Sequence, residues 1–102
     1  MSGDLTMSQE IRVSSDASVP IKPLIESAIQ AQLRMLDLAL ERTRKRLLDF
    51  ERGYGMASKE FESQFERGDV AESLDFIEWA GELKTLQMLE AQKEALIGVR
   101  VN

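Results

Sequence analysis

Residues 20–52 read PIKPLIESAIQAQLRMLDLALERTRKRLLDFER, and the reading of this stretch decides the fold. Packable residues recur at Ile29, Leu33, Leu36, Leu40, Thr43, Leu47 and Phe50, and one step further at Tyr54. The steps alternate four and three, which keeps one seam on one side of a helix, as in the a/d stripe of a coiled coil. A second seam runs through Leu24, Ala28, Ala31, Met35 and Leu38 in the same rhythm. It stops there, because the next positions are Arg42 and Lys45. The first half of the helix is therefore apolar on two sides and the second half on one. A helix apolar on two sides needs more than one neighbour. At about 1.5 Å per residue the stretch spans roughly 50 Å, too long to sit inside a small globule, so it is expected to act as a strut.

Working outward, residues 1–19 are rich in Ser, Asp and Gly. They read as a flexible tail, or as a short strand through Glu10-Ile11-Arg12-Val13 that adds to another chain's sheet. Pro20 and Pro23 suit a helix start, where a missing N–H costs nothing. Gly53-Tyr54-Gly55 predicts that the strut stops near Arg52. A short helix is expected over residues 58–67, with Ser58 as its N-cap, Phe61 and Phe65 on one face and Gly68 as its stop. A return helix should begin between Asp69 and Ser73, both eligible caps, and run to Ile97 or Gly98, followed by a short tail. Phe76, Trp79, Ala80, Leu83, Leu86, Leu89, Leu96 and Ile97 give it a broad apolar face, with Ile77 and Met88 outside it. The expected fold class is all-α. Residues 20–102 form a long antiparallel helical hairpin, coiled-coil-like, with the short helix at its tip, and a bundle forms on association.

Charge agrees with this folding back. The net charge is −5. Residues 20–52 carry seven basic and five acidic side chains, and residues 69–98 carry two and seven. A positive strut thus faces a negative return helix, with Arg42, Arg44, Lys45 and Arg46 expected near Glu72, Asp75, Glu78 and Glu82. The basic run does not argue for nucleic acid. Phosphate contacts want Lys and Arg on one face, whereas this run wraps more than a full turn of an acidic chain.

Composition excludes several chemistries. The chain holds no Cys and no His, so thiolate chemistry, disulfides, the commonest general base and the commonest metal ligand are all missing. Carboxylate ladders that bind paired metals in helical bundles add His, so the acidic series reads as a solvated face that suits the helix dipole. No glycine-rich phosphate loop, nucleophile arrangement or zinc spacing occurs. No enzyme activity, cofactor or metal is expected. The absence of a secretory signature and of a membrane-length apolar run predicts a cytoplasmic protein that spans no membrane. A chain this small buries little of its surface, so self-association or a partner is the expected remedy.

Several segments carry a resemblance: Pro23-Leu24-Ile25-Glu26, Arg42-Thr43, Phe50-Glu51, Tyr54-Gly55-Met56, Glu60-Phe61, Phe65-Glu66-Arg67-Gly68 and Asp75-Phe76-Ile77-Glu78-Trp79-Ala80-Gly81. From Pro20 onward the chain resembles a family of small bacterial and archaeal helical proteins whose genes are often found beside small toxin genes. Those proteins look like antitoxins of two-gene modules. The resemblance implies a non-catalytic antitoxin-like protein that covers the active surface of a cognate, ribonuclease-like toxin. On this chain the partner-binding residues would be Leu24, Ala28, Met35 and Leu38 on the second seam, with Phe61 and Trp79 as anchors. A homodimer or a hetero-complex is expected. The rival expectation is a homo-oligomeric coiled-coil adaptor or scaffold with no toxin partner.

Overall fold

The computed structural model describes Gln9–Ile11 and residues 20–101. Three helices carry the fold, and a long helix packs against another: α1 (Ile21–Tyr54), α2 (Ser58–Glu66) and α3 (Leu74–Ile97). Two three-residue strands, β1 (Gln9–Ile11) and β2 (Val99–Val101), flank them. The chain divides into two compact units. One comprises Met1–Leu38 with Ala91–Asn102, and the other Ala39–Glu90.

In the first unit, Leu36 is buried and Ile29 and Leu33 are half-buried, as the first seam requires. Lys93 of α3 pairs with Asp37 of α1. β1 and β2 pair in parallel, setting Gln9 beside Val99 and Ile11 beside Val101. The expected C-terminal tail therefore contains a strand, and the segment expected to pair with another chain's sheet pairs here within its own. The remaining residues of the expected N-terminal tail, 1–8 and 12–19, lie outside the described residues.

In the second unit the seam continues through the buried Leu40, Thr43 and Leu47. The core is Leu47, Phe61, Trp79 and Leu83, with Phe50, Met56, Phe76, Ala80 and Leu86 packed against it. All six aromatic residues of the chain meet in this unit. Trp79 lies between two rings: Phe61 stacks on it at 4.0 Å and 1°, and Phe50 at 5.5 Å and 8°. Stacked and tilted aromatic pairs add to the area they bury.

The helix ends show which local signals decide. α1 runs past the expected stop at Arg52, because Gly53 stays helical and Gly55 makes the turn. Gly55 has φ +61°, and the Met56 N–H reaches back to the Glu51 carbonyl at 3.2 Å, the long bond of a Schellman closure. α2 closes in the same way. Gly68 has φ +74°, its N–H bonds Phe65 O at 3.1 Å, and the Asp69 N–H bonds Gln64 O at 2.9 Å.

The start of α2 differs from expectation. Its N-cap is Ala57, which supplies no side-chain bond. Glu51 reaches across from α1 instead, and its Oε2 accepts the Ser58 N–H at 2.8 Å. Ser58 is buried, and its Oγ accepts the Trp79 indole N–H at 3.0 Å. α3 starts after Ser73, whose Oγ accepts the Phe76 N–H at 3.1 Å. Ser73 is therefore the cap and Asp69 is not. Asp69 pairs with Arg67 at 2.9 Å instead. Among the described residues no buried polar side-chain atom lacks a partner.

Candidate functional site

The first unit carries the second seam, and α1 presents it to solvent. Leu24 is 55%, Met35 64% and Leu38 63% exposed. Ala28 is exposed with them, and Ala31 is half-buried. The cause is periodicity. Turning Leu36 inward turns residues one and two positions away outward, and those positions hold Met35 and Leu38. Three large aliphatic side chains exposed along one side of one helix are more than scattered surface residues.

Phe61 and Trp79 stand elsewhere. Both are at 0% exposure in the core of the second unit. In the folded chain neither offers surface to a partner, so their anchor role is corrected to a core role. Of the six residues singled out for partner binding, the structure brings Leu24, Ala28, Met35 and Leu38 onto one helix side in the first unit, and Phe61 and Trp79 belong to the core of the second.

α3 also carries exposed apolar residues that the expected site did not include. Leu74 is 70%, Ile77 59% and Met88 54% exposed. The signal was present in the sequence, because Ile77 and Met88 fall off the inward stripe of that helix. Ile97, expected on the inward face, is 62% exposed.

The electrostatics of the second unit are narrower than the expected basic-to-acidic match. Arg46 bonds Glu82 at 2.8 Å, and Arg44 pairs with Glu90 at 3.3 Å, further along α3 than anticipated. From Arg44 to Arg46 the partner on α3 moves back from Glu90 to Glu82. The hydrogen bond to Glu82 and the field of the same carboxylate hold the Arg46 proton above its ordinary range. Among the described residues Asp75 takes no arginine. It accepts the Tyr54 hydroxyl, and that bond raises the Tyr54 pKa above its ordinary value. Exposed ion pairs of this kind contribute only about 0–1 kcal/mol each, so they set register more than stability.

An open groove runs beside these pairs. Asp49, Asp75, Glu78 and Glu82 line it together with Arg46, and the rings of Phe50 and Tyr54 form part of its wall. Among the described residues no group of three acidic side chains is placed to hold a metal ion, and no helix is long and apolar enough to cross a membrane. The described residues present an aliphatic stripe on α1 and, in the second unit, a charged groove between α1 and α3. No family model, no curated protein and no solved structure matches the chain.

Proposed function

We propose that this chain is a non-catalytic, antitoxin-like protein that binds and neutralises a cognate toxin through helical apolar surface. One observation carries the reading: Leu24, Ala28, Met35 and Leu38 stand exposed on one side of α1. Apolar area of that kind contributes about 25 cal/mol per Å² when a partner covers it. The resemblance described above supplies the class of partner. The scaffold in this reading is an antiparallel, coiled-coil-like helical hairpin with α2 at its tip, which the Arg44–Glu90 and Arg46–Glu82 pairs support. Its place of action is the cytoplasm.

The test is to express the chain with the product of the neighbouring gene and to measure the mass of what co-purifies. The double variant Met35→Glu with Leu38→Glu should lose the complex while keeping the helical content of the parent. If capture survives both substitutions, the site assignment is wrong. A second reading is a homo-oligomeric adaptor with no toxin partner. The additional exposed residues on α3, Leu74, Ile77 and Met88, favour it. It predicts a stable self-complex and no co-purifying neighbour.

A further inference from the structure

We propose that in the free protein the exposed stripe of α1 in the first unit is covered by the same stripe of a second copy running antiparallel to it, with a two-fold axis between Ala28 and Ala31. Ile21 extends the stripe by one step, so its members are Ile21, Leu24, Ala28, Ala31, Met35 and Leu38, and none of them is buried. Their order is the same from either end: two large side chains, two alanines, two large side chains. Their spacings of three, four, three, four and three are also the same from either end. A helix with that symmetry meets its own copy, turned end for end, large against large and small against small. Ile21 falls on Leu38, Leu24 on Met35 and Ala28 on Ala31, and each pair occurs twice. The alanines at the crossing let the two backbones close to the short end of the roughly 8–10 Å range of packed helices, which brings the large side chains on both sides into contact. A foreign helix requires no such symmetry of the stripe.

Charge fixes the direction and the register. Beyond Leu38 the same rhythm meets Arg42 and Lys45, both exposed. A parallel pair in register would set Arg42 against Arg42 and Lys45 against Lys45, like charge on like charge. Antiparallel pairing about Ala28 and Ala31 carries both cations past the first residue of the second copy's α1. Sliding by one heptad in one direction brings Arg42 onto Leu24. Sliding by one heptad in the other strips Met35 and Leu38 of their cover. Beside the seam Ser27 faces Arg34 and Ile25 faces Gln32, so no charge meets its like. The overlap of Ile21–Leu38 is about 27 Å long, and an interface of that length lies at the small end of the range for specific pairs, so it opens for a better partner. The stripe is also the toxin-binding surface proposed above, so a second copy and a toxin exclude each other. That exclusion, unlike the pairing, rests on the toxin-binding reading.

The test combines solution mass with disulfide trapping. The full chain should sediment at twice its monomer mass at about 0.1 mM. The chain holds no Cys, so one introduced thiol reports its own neighbour. Leu24→Cys and Met35→Cys are oxidised with diamide, each alone and then mixed in equal amounts. Antiparallel pairing leaves the two copies of either thiol about 16 Å apart along the axis, out of disulfide reach, and sets the thiol of one variant beside that of the other. The mixture should cross-link and neither variant alone should. A cross-link within one variant alone, a mixture that does not cross-link, or a monomeric parent would each overturn the proposal. Leu24→Lys and Met35→Glu, both at exposed positions, should each weaken self-association about tenfold or more with parental helical content. Mixed, they should pair again, because the new ammonium of one faces the new carboxylate of the other; a mixture that stays monomeric would refute the register. With the neighbouring gene product in excess, energy transfer between parent copies labelled at the amino terminus should fall about tenfold or more, and unchanged transfer in a sample that captures the product would refute the exclusion. A parent that captures nothing would remove the toxin-binding reading, while mass and cross-linking decide the pairing by themselves.

Discussion

Replacing Ser58 with Ala deletes one oxygen from the second unit's core. That oxygen is the acceptor for the Trp79 indole N–H at 3.0 Å, and the indole is at 0% exposure. Water cannot replace the lost partner without opening the stack of Phe61 on Trp79. A buried donor left unsatisfied costs about 1–3 kcal/mol. The backbone of Ser58 is unaffected, because its N–H is held by Glu51 rather than by its own side chain. Alanine also suits a helical position, so propensity does not add to the loss. Against a typical stability of about 5–15 kcal/mol the effect is large, and it amounts to about 1 M in the midpoint of a urea transition. The assay is urea unfolding followed by far-ultraviolet circular dichroism, in a cycle with Trp79→Phe. The Phe ring keeps an aromatic plane between Phe50 and Phe61 but carries no donor. In that background Ser58→Ala should cost less than about 0.5 kcal/mol, so the coupling should be about 1–2 kcal/mol. Equal costs in the two backgrounds would refute the claim that the hydroxyl acts through the indole.

Three further outcomes follow from the same geometry. Glu51→Ala removes the acceptor for the Ser58 N–H and should lower stability by about 1 kcal/mol, as the loss of an N-cap does, read from the same urea transition. Gly55→Ala places a Cβ at φ +61° and should cost about 1–2 kcal/mol, although the added methyl touches nothing; a neutral result would mean that the turn relaxes. The single Tyr54 should release its phenol proton above the ordinary value of about 10, and Asp75→Asn should bring it back, as read by tyrosinate absorbance. Because the folded value is the higher one, this bond stabilises fully below pH about 10 and its contribution disappears as pH rises through the folded value.

Much of this architecture was written in local periodicity. The seam from Ile29 to Phe50 obeys a strict rhythm, and each of its positions from Leu36 to Leu47 is buried. The exposure of Leu24, Met35 and Leu38 was legible for the same reason, since a second stripe with no complementary segment must face outward. Helix ends were legible where glycine decides, but the choice between Gly53 and Gly55 was not, because both stand in the same short motif and only one takes a left-handed φ. The roles of Ser58 and Glu51 were illegible in principle. Ser58 looks like a cap by type, yet its hydroxyl serves an indole 21 positions away, and a glutamate seven residues earlier does the capping. Trp79 and Phe61 were misassigned as anchors because residue type marks an aromatic as costly to expose without saying which side covers it. Here the chain covers them itself.

The gathering of every aromatic ring into one unit has an optical consequence. All near-ultraviolet absorbance and all intrinsic fluorescence of the chain originate between Phe50 and Trp79, while Ile21–Leu38 and the end of α3 contain no chromophore beyond the peptide bond. Tryptophan emission therefore reports melting of Ala39–Glu90 alone, whereas helical ellipticity sums over both units. Superimposable curves from the two probes would mean that the units open as one cooperative body, and ellipticity lost ahead of emission would mean that the aliphatic unit frays first. The chain thus carries its own built-in comparison, one coloured unit and one colourless one, with no label to be introduced.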